Sequence, residues 1–213
     1  MRNKIERMKL TIGLFVVICL LPMSVLAHTE TDAGNTAKLP ITINGVKTMN
    51  SNEKSTDMTK EQVMRNLRAA NEVAKEMKRF GHHPFGAVLV APDNETILLR
   101  YGNISVVRHA ETDLARWAAE IYSPEYLAKC TLVTTMEPCV MCAGAIYFAN
   151  IGKVVFGVTE DTLKKLTGSS KMNPTMHLPC RQVFDAGQKR IQVIGPIPDM
   201  EKELIEPHKS FWK

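Results

Sequence analysis

The segments Pro138-Cys139-Val140-Met141-Cys142 and His109-Ala110-Glu111 decide the fold of this chain. Cys139 and Cys142 are three positions apart, so on a helix their side chains share one face. Pro138 precedes them, and proline is favoured in the first turn of a helix because the amide hydrogen that it lacks has no partner there. The thiols are therefore expected at a helix N-terminus, where partial positive charge favours the thiolate form.

His109, Cys139 and Cys142 are candidate ligands of one zinc ion. A catalytic zinc ion has three protein ligands and an open position for water, whereas a structural site normally closes with four protein ligands. Glu111 is expected to contact the water, to accept its proton, and to pass protons to a substrate nitrogen and a leaving amine. The pattern predicts one Zn²⁺ per chain and Glu111 as the catalytic residue. A structural zinc knuckle, or buried cysteines without metal, is the alternative.

From about residue 61 to residue 212 the chain resembles the cytidine deaminase-like superfamily, in which H-x-E and P-C-x-x-C form the zinc site. The most similar branch holds guanine deaminases, fungal-type cytosine deaminases and bacterial tRNA adenosine deaminases. The resemblance implies the superfamily fold, a zinc-dependent deaminase activity and a homodimer. The matching segments are 83–90, 102–103, 108–111, 137–147 and 152–157.

The resemblance also implies substrate-binding residues. In this branch the asparagine that matches Asn103 hydrogen-bonds the base, and the segment that contains Phe85 lines the pocket. Aromatic residues on a C-terminal helix cover the pocket in several small-base deaminases, so Phe211 and Trp212 are candidate lid residues; the alternative is that they cap the core. Relatives usually have a longer stretch before the zinc histidine, whereas five residues separate Asn103 from His109 here.

The hydrophobic pattern predicts an α/β domain over residues 59–213. Taken together, the predicted elements indicate a three-layer α/β/α architecture, with a mixed sheet of about five strands and helices on both faces. A strand, a helix and a second strand within 131–158 predict a parallel pair with a right-handed crossover. Segment 169–188 is predicted to be mostly irregular, and Asp199 is predicted to cap a last helix. The predicted strands are 85–90, 96–101, 131–135, 153–158 and 190–194, and the predicted helices begin near 59, 112, 139, 161 and 199.

The N-terminus has the pattern of a secretory signal peptide over residues 1–27, with basic residues, an apolar run and small residues before a cleavage point. An uncleaved membrane anchor is the alternative, but the 17-residue run 10–26 contains Pro22 and is short for a span. Residues 28–58, rich in Thr, Asn, Ser and Lys, are predicted to be a flexible segment. We expect a periplasmic or secreted protein without a membrane anchor after cleavage.

The balance of charge argues against a nucleic-acid partner. The chain has 27 basic and 22 acidic residues, and removal of residues 1–27 leaves 23 and 21, a net charge of +2. A nucleic-acid-binding domain usually carries a strong basic patch. Two further cysteines, Cys130 at the start of a predicted strand and Cys180 in a predicted loop, either form a disulfide in an exported protein or stay free.

The sequence therefore favours a zinc-dependent hydrolytic deaminase of a free nucleobase or nucleoside, of the guanine or cytosine type, that releases ammonia. The first alternative is a tRNA-specific adenosine deaminase. The second is a non-catalytic, zinc-stabilised protein that binds a small ligand.

Overall fold

A computed structural model of the protein describes residues 57–168 and 173–212. The predicted signal peptide and nearly all of the predicted flexible segment 28–58 lie outside these residues. In the described part of the chain, no helix is long and apolar enough to cross a membrane.

Five strands form one mixed sheet in the order β2-β1-β3-β4-β5. β1 runs antiparallel to both of its neighbours, whereas β3, β4 and β5 are mutually parallel. The predicted crossover therefore joins β3 to β4, where Val133 pairs with Val155. The strands are β1 (Gly86–Val90), β2 (Ile97–Gly102), β3 (Thr131–Met136), β4 (Lys153–Val158) and β5 (Gln192–Ile194).

Helices cover both faces of the sheet, because alternate strand residues supply two separate apolar clusters. Leu89 belongs to a cluster with α2, α4 and α6, whereas Val88 belongs to a cluster with α1 and α7. The three-layer α/β/α prediction is thus confirmed. The helices are α1 (Lys60–Arg79), α2 (Ala110–Ile121), α3 (Pro124–Leu127), α4 (Val140–Phe148), α5 (Glu160–Thr167), α6 (Cys180–Asp185) and α7 (Pro198–Leu204), followed by a 3₁₀ helix (Glu206–His208).

The first helix begins near residue 59, as predicted, and its N-terminus is closed by a capping box. The Gln62 amide donates to Thr59 Oγ1 at 3.2 Å, and the Thr59 amide donates to Gln62 Oε1 at 2.9 Å. The helix ends at Arg79, and Gly81 follows at φ +78°, a conformation that glycine adopts without steric cost. Both ends of α1 therefore follow from local sequence.

The C-terminal third differs from the predicted pattern at two places. Within segment 169–188, Cys180–Asp185 forms α6 after Pro179, a helix that was not predicted. A segment of six residues is too short to show a clear helical hydrophobic period. This helix is stabilised by packing in the tertiary core, which buries Cys180 and Phe184. Asp199 does not cap α7, because Pro198 occupies the first turn and moves the cap to Ile197.

The two remaining cysteines do not form the disulfide that the sequence left open. Cys130 and Cys180 are both free and buried, and both belong to the apolar cluster below α2 and α4. Burial raises the pKa of each thiol to about 12. Both side chains therefore act as small apolar core residues.

Candidate metal centre and active site

Two helix starts bring the predicted metal ligands together. His109 is the N-cap of α2 and Cys139 is the N-cap of α4, and neither side chain is used to cap its helix. Cys142 lies one turn into α4 and is buried. The crossing of α2 over α4 thus places two cysteines and one histidine at one point, as the sequence predicted.

The donor atoms have the spacing that a tetrahedral zinc ion requires. The Cys139 and Cys142 Sγ atoms are 3.6 Å apart, and His109 Nδ1 lies 3.6 Å and 3.5 Å from them. Zinc bonds of about 2.3 Å to sulfur and about 2.1 Å to nitrogen give separations of about 3.8 Å and about 3.6 Å in a tetrahedron. His109, Cys139 and Cys142 are therefore positioned to bind zinc.

The electrostatics of the trio also suit a cation. The hydrogen bond between the two cysteine sulfurs lowers the pKa of Cys139 to about 4, and the neighbouring His109 acts in the same direction. The same hydrogen bond raises the pKa of Cys142, because one proton is shared between the two sulfurs. Burial opposes the charged form of His109, but its hydrogen bond with Cys139 leaves the pKa of the imidazole raised. A metal ion would replace the proton that these groups share.

Glu111 lies beside the three ligands and outside their set. Its side chain is 5% exposed, and Oε1 accepts a hydrogen bond of 2.5 Å from Thr134 Oγ1. Oε2 is 3.4 Å from Cys142 Sγ, and the group of mutually close metal donors in the described residues contains His109, Cys139 and Cys142. Burial raises the pKa of the Glu111 carboxyl. This is a geometry in which a carboxyl can exchange protons with a ligand of the metal.

Two small cavities open on the metal ligands. Their volumes are about 30 Å³ and about 180 Å³, and His109, Cys139, Glu160 and Asn173 line both of them. A larger cavity, about 880 Å³, lies at the opposite end of β4, around Lys153, and none of the predicted site residues lines it. The chemistry of the donors, rather than cavity size, locates the active site.

Of the predicted substrate-binding residues, Phe85 lines the smaller cavity, whereas Asn103 is not among the residues that line either cavity at the metal ligands. Asn103 is 1% exposed, its backbone amide donates to the Phe85 carbonyl, and its Oδ1 has no partner among the described residues. Trp212 packs behind Phe85 at 6.0 Å between ring centroids, and Phe211 lies 4.9 Å from Trp212. Neither aromatic residue is part of the cavity walls, so their role as a lid stays a prediction.

Several residues at the site were not singled out from the sequence. Glu137 accepts hydrogen bonds from the amide of Glu160 at 3.3 Å and from that of Cys180 at 3.1 Å, and so ties the starts of α5 and α6 to the site. Burial, followed by the charges of Cys139 and Glu111, raises the pKa of Glu160 to about 8. The predicted parallel pair of strands could have indicated Glu137 and Glu160, because residues that follow the carboxyl ends of neighbouring parallel strands lie close together at one edge of the sheet.

Comparisons with known proteins agree with this geometry. The sequence profile described as the cytidine and deoxycytidylate deaminase zinc-binding region matches residues 59–158. A probable cytosine deaminase of Schizosaccharomyces pombe is 37% identical over 150 residues, which cover 68% of this chain and 90% of the relative. A tRNA-specific adenosine deaminase of Haemophilus influenzae is 38% identical over 99 residues, which cover 44% of this chain and 57% of the relative.

Solved structures share the fold. A tRNA:A34 deaminase structure has a TM-score of 0.50 and 26% identity, and the match covers 68% of this chain and 99% of that one. A guanine deaminase from Nitrosomonas europaea has a TM-score of 0.52 at 18% identity, and the match covers 76% of this chain and 97% of that one. The metal donors, the fold and the long match to the fission-yeast protein lead to one conclusion. The chain belongs to the cytidine and deoxycytidylate deaminase family and is a hydrolytic deaminase with a zinc-binding site.

Proposed function

We propose that the protein deaminates a free nucleobase of the cytosine or guanine type. The observation that carries this proposal is the similarity to a probable cytosine deaminase along 90% of that relative's length. The two cavities beside the metal ligands, about 30 Å³ and about 180 Å³, support it. Pockets for drug-sized ligands are larger, about 300–1,000 Å³, so a single planar base suits this site better than a large ligand.

In this proposal the chain's own residues hold the metal and move the protons. His109, Cys139 and Cys142 hold the zinc ion, which supplies a polarised water as the nucleophile. Glu111 would accept a proton from the water at its carboxylate and deliver it to a ring nitrogen of the base. It would then accept the proton of the hydroxyl group added to the ring carbon and deliver it to the leaving amine. Water is consumed, the C–N bond of the amine is replaced by C=O, and ammonia leaves. Thr134 holds the Glu111 carboxyl in place through its 2.5 Å hydrogen bond.

The experiment is ammonia release from cytosine, guanine and adenine by zinc-loaded protein. Glu111→Gln should retain its zinc and lose at least about a hundredfold in turnover, because the amide cannot carry the proton. Glu120→Gln is the matched control, since Glu120 is exposed on the same helix as Glu111, and it should behave as wild type. Equal turnover in the wild type and the Glu111 variant would contradict the mechanism.

A tRNA-specific adenosine deaminase is the second candidate. The 26% identity to a tRNA:A34 deaminase along 99% of that chain favours it. The small cavities and the net charge of +2 after residue 27 favour a free base instead. Ammonia release from a tRNA anticodon stem, with none from any base, would establish this candidate. Binding of a base without ammonia release would establish a non-catalytic binding protein.

The active unit is proposed to be a homodimer. α2 and α4 pack on each other, and their outer surfaces expose Trp117 (48%), Ile121 (56%) and Phe148 (83%). Large exposed apolar side chains are typical of interaction surfaces. In sedimentation experiments Phe148→Asp should convert a dimer to a monomer, whereas Phe80→Asp, at an exposed position after α1, should not. A monomeric wild-type protein would contradict the proposal.

Export is proposed from the pattern of residues 1–27. N-terminal sequencing of the protein recovered from the periplasm or the medium of an expressing bacterium should give a chain that begins at His28. An intact protein in the cytoplasm that begins at Met1 would contradict export.

A further inference from the structure

Two residues stand next to the metal ligands in both cavities without an assigned role. Glu160 and Asn173 are the residues that, with His109 and Cys139, line the cavities of about 30 Å³ and about 180 Å³. Both are half-buried. Any base that reaches the metal centre through these cavities must pass or contact them.

The position of Glu160 follows from the topology of the sheet. β3 and β4 are parallel, and Met136 at the end of β3 pairs with Val158 at the end of β4. Cys139 and Glu160 follow these two ends after three and two residues, and therefore meet at the same edge. The hydrogen bond from the Glu160 amide to Glu137 at 3.3 Å holds the start of α5 against the site. Glu160 is thus positioned by two strands and one partly buried hydrogen bond.

The polar atoms of the two side chains have capacity for a ligand. Within the described residues, the Glu160 carboxyl makes no hydrogen bond. Asn173 Nδ2 is buried and also lacks a hydrogen-bond partner there. A buried donor without a partner is costly, so such groups in native proteins are normally hydrogen-bonded to protein, to ordered water or to a ligand. One acceptor and one donor consequently face the same small space.

We propose that Glu160 and Asn173 bind the lactam edge of the base, with Glu160 accepting a ring N–H and Asn173 Nδ2 donating to the adjacent ring carbonyl. A carboxyl group offers an acceptor oxygen in either protonation state. Cytosine and guanine share this edge at N1, whereas adenine has no ring carbonyl. The inference rests on the proposed function and deepens it: the substrate is a free base with an unsubstituted ring N–H beside a carbonyl. A ribose on N1 of cytosine would remove the donor.

The test pairs a change in the protein with a change in the substrate. Ammonia release is measured from cytosine and guanine and from their N1-methyl derivatives, with zinc content checked for every variant. Wild type should prefer the unmethylated base. Glu160→Met, which removes the acceptor at similar length, should lower kcat/KM for that base about 10- to 100-fold, mainly through KM. The methylated base should be unaffected, so the preference for the unmethylated base disappears.

Two more variants keep the inference testable if the methionine variant folds poorly. Glu160→Gln retains an acceptor oxygen and should keep most of the preference, whereas Asn173→Asp removes the donor and should raise KM for both kinds of base. Asp161→Asn, at the neighbouring exposed position, is the control. An equal loss for methylated and unmethylated bases in Glu160→Met would overturn the inference and indicate a structural role. A wild-type protein that does not prefer the unmethylated base would overturn the inference as well. A wild-type protein that releases no ammonia from any base would instead refute the proposed function.

Discussion

Acidification should destabilise the protein through one buried histidine. His208 is 3% exposed, and its ring lies 5.1 Å from Phe85 and 5.9 Å from Trp212 between centroids. Its Nδ1 accepts a hydrogen bond of 3.3 Å from Trp212 Nε1, so the neutral imidazole is the form that fits. Burial lowers the pKa of His208 to about 3, and the positive charges of Lys78 and His83 act in the same direction.

The sign and size of the effect follow from the two pKa values. The folded pKa, about 3, lies below the ordinary value of 6.5, so between these values the unfolded chain binds a proton that the folded chain does not. Stability is therefore lost as the pH falls below about 6.5. At about pH 5 the difference amounts to about 1.5 pKa units, or about 2 kcal/mol of the free energy of unfolding.

The assay is urea unfolding of wild type and His208→Phe at about pH 7.5 and about pH 5. His208→Phe removes the acceptor of the Trp212 hydrogen bond at both pH values. On acidification its free energy of unfolding should fall by about 2 kcal/mol less than that of wild type. Groups that titrate in both proteins, the metal ligands included, cancel in this comparison. His177→Gln, which removes an exposed histidine paired with Asp161, should follow wild type. Losses within about 0.5 kcal/mol of each other in wild type and His208→Phe would refute the reasoning.

Two further predictions concern the backbone and the thiols. Gly152→Ala places a Cβ 1.9 Å from the Ala128 carbonyl oxygen and should lower the free energy of unfolding by about 3 kcal/mol. Gly144→Ala, in α4 with open space around it, should raise the free energy of unfolding by about 0.5–1 kcal/mol. Thermal melts of both variants measure these changes. Equal effects of the two changes would contradict this assignment. After zinc is removed with a chelator, iodoacetamide should modify Cys139 first, because its pKa is about 4, and leave Cys130, whose pKa is about 12, unmodified in mass spectra. Zinc should protect Cys139, and labelling that zinc does not slow would argue against Cys139 as a ligand.

Local patterns predicted much of the fold and the metal site. The capping box at Thr59 and the three-residue spacing of Cys139 and Cys142 concern residues within one helical turn of each other, so chain geometry alone sets their relation. By contrast, α6 was missed, because a six-residue helix is formed by the burial of Cys180 and Phe184 rather than by its own pattern.

The sequence by itself determined the zinc donors, the neighbouring Glu111 and the three-layer arrangement of strands and helices. Only the tertiary structure decided which side chains from distant segments share the space beside those donors. Thr134 of β3 donates a hydrogen bond to Glu111 of α2, and Glu137 accepts hydrogen bonds from the amides of two later helices. Glu160, which follows the next parallel strand, lies beside Cys139. The physical reason is that strand pairing brings together residues that are far apart in the chain. The hydrogen bonds and burial at these contacts do not produce a periodic pattern in the sequence.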